Sequence, residues 1–63
     1  MENNRIYRIV REANHAKPWH VEVKTEAGFW QQVSPEYCYC NSATRYCLKN
    51  GIKITTIITI KAR

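Results

Sequence analysis

Residues 52–62 read IKITTIITIKA, a run of isoleucine and threonine broken only by two lysines. Both residue types branch at Cβ, which restricts χ1 in a helix and suits a pleated surface. A strand is therefore expected over 52–61, and a strand cannot stand alone, so the rest of the chain must supply a sheet for it. With a period of two, Ile52, Ile54, Thr56, Ile58 and Ile60 should face the core, while Lys53, Thr55, Ile57, Thr59 and Lys61 face the other way.

The partners can be read upstream. In WHVEVKTE, Trp19, Val21 and Val23 alternate with His20, Glu22 and Lys24, the pattern of a half-buried strand over 19–25. RIYRIVRE, residues 5–12, is also strand-like, but its faces are both mixed: either Tyr7 and Ile9 or Ile6 and Val10 could point inward. Gly28 tolerates a positive φ, so Glu26-Ala27-Gly28 reads as a short hairpin turn into a third strand over 29–33, with Trp30 and Gln32 sharing a face. SPEY then opens a helix: Ser34 suits the N-cap, Pro35 the first helical position and Glu36 the positive end of the dipole. Asn50-Gly51 suits a left-handed C-terminus, framing a helix over 35–50. The order β-β-β-α-β predicts a small two-layer α+β domain spanning 1–63, a mostly antiparallel sheet with one helix packed on one face.

At 63 residues the chain buries little core, and its stability is expected to be marginal. Ten Lys or Arg against five Glu and no Asp leave a formal charge of +5, which favours acidic partners. The N-terminal MENNRIYRIV lacks the layout of a secretory signal, and no apolar run reaches spanning length, so a reducing cytoplasm and no membrane are the expectation.

All three cysteines lie within YCYCNSATRYC, residues 37–47. On a helix, Tyr39, Cys40, Ala43, Tyr46 and Cys47 share an arc of about 120°, the width of a core-facing stripe. Cys38 falls on the polar side. Cys40 and Cys47 would be about 10 Å apart along the axis, too far for a disulfide. The spacing is wrong for zinc, and a catalytic cysteine would need a base and a cleft that so small a chain hardly provides. No metal, no cofactor and no enzymatic activity are expected; Cys40 and Cys47 read as small buried hydrophobes and Cys38 as the thiol open to reaction.

If the helix covers one face of the sheet, the other carries His20, Glu22, Lys24, Trp30, Gln32, Lys53, Ile57 and Lys61. Lysines attract phosphate, an exposed Trp stacks on a base or anchors a protein, and Gln32 offers an amide to base edges. A plainer reading has the lysine stems shielding Trp30, and Lys53 and Lys61 guarding the last strand against aggregation. Arg5, Arg8, Arg11, Arg45, Lys49 and Arg63 add a basic rim whose convergence the sequence does not show.

Three strands followed by a helix, over residues 7–50, resemble in layout the small sheet-based DNA-binding modules of phage integrases and AP2 domains. The resemblance rests on no motif, the fourth strand departs from it, and no residues carry over. The favoured expectation is a binding module for nucleic acid or a nucleoprotein surface, using Trp30, Gln32, His20, Lys24, Lys53, Ile57, Lys61, Arg45 and Lys49. The alternative is an accessory protein of phage or mobile-element type that inhibits a host protein complex, with Trp30 and Ile57 as anchors. A homodimer through the C-terminal strand is compatible with both.

Overall fold

A computed structural model of the chain describes residues 5–61, the side chain of Thr55 excepted. Arg63 of the basic rim lies outside the described residues. The elements are β1 (Tyr7–Glu12), β2 (Trp19–Lys24), β3 (Trp30–Gln32), α1 (Cys40–Lys49) and β4 (Ile54–Ile60). They form one four-stranded sheet in the order β3-β2-β1-β4, with α1 as the crossover between β3 and β4. β1 pairs antiparallel with β2, and β2 with β3, whereas β4 runs parallel to β1. The expected α+β layout, one helix on one face of a largely antiparallel sheet, is what the chain adopts.

The ambiguity in β1 is resolved by its register. Tyr7 lies opposite Val23, Ile9 opposite Val21 and Arg11 opposite Trp19, so these residues share the face that meets the helix. Ile9, Val21, Ala43 and Cys47 form the buried cluster there, with Tyr7, Trp19, Tyr37, Tyr46, Ile52 and Ile54 packed around it. The predicted hairpin turn is present: Gly28 has φ +89°, its N–H donates to Thr25 O at 3.0 Å, and Thr25 N donates to Phe29 O at 2.7 Å.

The helix begins later than its apparent cap implies. Ser34 is buried, and its hydroxyl accepts the Val21 N–H at 2.8 Å while donating to Pro35 O at 2.9 Å. Val33 N donates to Val21 O at 2.9 Å, and Tyr37 exchanges two backbone bonds with Trp19, at 2.6 and 3.0 Å. Residues 33–37 therefore continue beside β2, where they satisfy backbone groups that a helix starting at 35 would strand. Tyr39 takes the N-cap position in an extended conformation, with no side-chain cap. It is 72% exposed, so the core stripe loses its first member, and Cys40 is only half-buried. The C-terminus matches expectation: Gly51 has φ +66°, its N–H donates to Leu48 O, and Ile52 N donates to Cys47 O, the paired bonds of a Schellman motif.

β4 also departs from simple alternation. Tyr7 pairs with Ile54 but Arg8 pairs with Thr56, so one extra residue, Thr55, bulges between them. A bulge reverses the facing of everything beyond it. Ile52 and Ile54 meet the helix-side core as expected, but Thr56, Ile58 and Ile60 align with Arg8, Val10 and Glu12 on the opposite face. Ile57 and Thr59 consequently lie on the helix side rather than on the face of Trp30.

The role of Ser34 in the β2 edge makes a distinct prediction. Ser34→Ala leaves the buried Val21 N–H without its acceptor and should cost about 1–3 kcal/mol in urea denaturation. In hydrogen exchange the Val21 amide should lose protection, whereas a helix cap would have weakened the first turn of α1 instead.

Candidate functional site

The face away from the helix is not the open wall that the alternation suggests. At its centre Val10, His20 and Glu22 are each at most 1% exposed. Arg8 lies directly across from Glu22, and Val10 from His20, in the β1–β2 register. Arg8 donates from Nε and Nη2 to Glu22 Oε1, at 2.9 and 2.7 Å, and His20 Nε2 donates to Glu22 Oε2 at 2.9 Å. Glu22, as a carboxylate, only accepts, so Nε2 carries a hydrogen in this contact. The other ring nitrogen, Nδ1, has no hydrogen-bond partner and sits 3.6 Å from Glu12 Oε1. The guanidinium of Arg8 also stacks over Trp30, 3.9 Å from the ring centroid.

Arg8, Glu22 and His20 thus form one chain of hydrogen-bonded polar groups, with Glu12 close to its far end. Its cation is committed to an internal carboxylate, and the ring of His20 is shielded from solvent, so the centre of this face presents no free positive charge. Sequence reading placed His20, Lys24, Trp30 and Gln32 together correctly: Glu22 pairs with Gln32 and Lys24 with Trp30. It missed the ion pair, although Arg8 and Glu22 stand equally far along the hairpin from its connection, which is the clue that opposite charges would meet. Gln32 is exposed but its amide donates to Ser34 O at 2.8 Å. Lys53 and Lys61 flank β4 and are exposed; Ile57, 57% exposed, belongs to the other face, and the same bulge turns the alternation at Lys61 away from the face of Trp30.

A second arrangement gathers on the flank of α1. Ser42, Arg45, Tyr46 and Lys49 recur at helical spacing along one side of the helix. Tyr46 is pinned by its hydroxyl, which donates to Val33 O at 2.9 Å, and Tyr37 by its bridge to Trp19. Asn50 closes the end, its amide donating to Tyr46 O at 2.8 Å. Together with Tyr37 these residues line a shallow depression of about 420 Å³. No acidic side chain lines it, and among the described residues neither Arg45 nor Lys49 joins an ion pair. The depression therefore offers two cations, two phenol rings and short polar donors on a rigid support.

All three cysteines are free thiols; Cys38 is exposed, and Cys47 is buried in the core, where burial pushes its thiol pKa up. No group of three or more His, Cys, Asp or Glu among the described residues could hold a metal ion. No helix among them is long and apolar enough to cross a membrane. No protein-family model, curated protein or solved structure matches this chain.

Breaking the polar chain at its centre has a predictable cost. Glu22→Ala leaves Arg8 and His20 facing an empty buried site and should destabilise the fold by about 3–5 kcal/mol. Chemical denaturation followed by circular dichroism measures it, and a loss within 1 kcal/mol would show that the network is not holding the sheet.

Proposed function

We propose that this chain is a non-enzymatic module that binds nucleic acid, and that its principal contact surface is the basic flank of α1. One observation carries this reading: Arg45 and Lys49, unpaired among the described residues, share a depression with Tyr37 and Tyr46 and with no carboxylate. Such a surface suits phosphates through the cations and unstacked bases through the phenol rings. It favours single strands over duplex, because stacking on tyrosine needs a base free of its neighbours. The formal charge of +5 assists encounter with any polyanion. Lys24, Lys53 and Lys61 add a peripheral rim, with Trp30 and Gln32 beside Lys24 on the sheet, while His20 supports that face from below.

A second reading, an accessory protein of phage or mobile-element type that inhibits a host protein complex, draws on a different observation. Tyr39, at the N-cap of α1, and Leu48, in its last turn, are 72% and 75% exposed, and large exposed side chains of this kind serve as anchors for a protein partner. Either function accommodates a pair of copies joined through β4.

Fluorescence anisotropy against labelled single-stranded DNA, RNA and duplex DNA, in a salt series, separates the two. The nucleic-acid reading expects saturable binding to a single strand. Arg45→Ala with Lys49→Ala should weaken it tenfold or more and shallow the logarithmic salt slope by roughly 1.4, about 0.7 for each lost phosphate contact on a single strand. Weak binding that does not discriminate among the three, and that the double variant leaves unchanged, overturns it in favour of a protein partner.

A further inference from the structure

The two edges of the sheet are built differently. β3 has only three residues and leads through Val33 and Ser34 into Pro35, a short and interrupted edge of the kind that resists pairing. β4 has seven, ITTIITI, with no charge and no proline, and among the described residues no strand lies on its outer side. Ala13 N donates to Ile60 O at 2.8 Å, so the backbone groups of Ile60 point toward β1. By alternation those of Ile58 do the same, while those of Ile57 and Thr59 point out from the edge.

We infer that β4 pairs with β4 of a second copy, antiparallel across a two-fold axis at Ile58, joining the two sheets into one of eight strands. The occupant is argued from the strand itself. A chain of charge +5 repels its twin, but Ile54–Ile60 is uncharged, so the contact can form where no like charges meet. Two observations select the axis. A two-fold at Ile57 would set Lys53 against Lys61 of the other copy at both ends, an unfavourable cross-strand pair. It would also run the pairing through the bulge at Thr55. A two-fold at Ile58 uses the regular stretch 56–60 alone, pairing Thr56 with Ile60, Ile57 with Thr59, and Ile58 with its own equivalent. The outward groups of Ile57 and Thr59 then bond to one another across the axis.

The pairing also accounts for Ile57. α1 packs over β2, and the pinned Tyr46 turns the groove flank toward Val33 on the β3 side. Ile57, at the far edge of the same face, is left 57% exposed. In the pair it gains a neighbouring strand.

Sedimentation of the full chain over a micromolar concentration series tests this, with a mass of twice 7.4 kDa expected at the upper end. Thr59→Pro removes an outward N–H while leaving the ladder to β1 intact, and should sediment as a monomer with an unchanged circular dichroism spectrum. Ile58→Cys in a Cys38→Ser background gives a second readout that needs no destabilised variant. Ile58 and its equivalent form a non-hydrogen-bonded pair with Cα atoms about 4.5 Å apart, within disulfide reach. Mild oxidation should link that variant into covalent dimers. Thr56→Cys, displaced from its own equivalent by about 13 Å, should stay unlinked. A monomer throughout the series overturns the inference and leaves Lys53 and Lys61 as guards of the edge. A dimer that Ile58→Cys fails to trap overturns it too, since the contact then lies elsewhere.

Discussion

The carboxylate of Glu22 is the group on which the rest of the fold depends. It is fully buried on a face that no helix among the described residues covers, and the bonds from Arg8 and His20 offset the cost of burying its charge there. That pairing reinforces the β1–β2 register, in which Arg8 stands directly across the ladder and reaches Oε1 with two nitrogens. The register in turn places Ile9 beside Val21 on the opposite face, under Ala43 and Cys47. A slip by one residue would turn Glu22 into the helix layer and send Val21 to the polar side. Arg8 carries the constraint one strand further by stacking over Trp30 of β3.

Much of this was legible in the sequence, and the failures have physical causes. The strand order along the chain, the Gly28 hairpin and the Gly51 helix end follow from local properties: β-branching, alternation and the freedom of glycine at positive φ. The helix start was not legible, because Ser34-Pro35 is equally suited to capping a helix and to turning along a strand. The choice is made by Val21, thirteen residues away, whose N–H needs an acceptor. Simple alternation puts Ile57 on the wrong face, because a bulge at Thr55 leaves no mark in a run of isoleucine and threonine. Helical periodicity puts Tyr39 in the core, but the helix begins only at Cys40.

The candidate site shows the same division. Residue types pointed to a basic binding surface, and Arg45 and Lys49 were among those singled out, but nothing local indicated that Tyr37, Tyr46 and Asn50 would surround them. That convergence comes from long-range contacts, the Tyr37–Trp19 bridge and the Tyr46 hydroxyl on Val33. Conversely, the centre of the sheet face presents no free positive charge, because Arg8, directly across the ladder, is neutralised by Glu22. The polar groups are thus divided: those at the centre of the sheet face bond to one another, whereas Arg45 and Lys49 on the helix flank join no ion pair among the described residues.

That separation is tested most directly by amide chemical-shift mapping on the isotope-labelled protein titrated with a short single-stranded oligonucleotide. Binding at the helix flank predicts the largest changes at Tyr37, Ser42, Arg45, Tyr46, Lys49 and Asn50, with Arg8, His20 and Glu22 nearly still. Changes centred on Lys24, Trp30 and Gln32, or none at saturating oligonucleotide, would contradict the account.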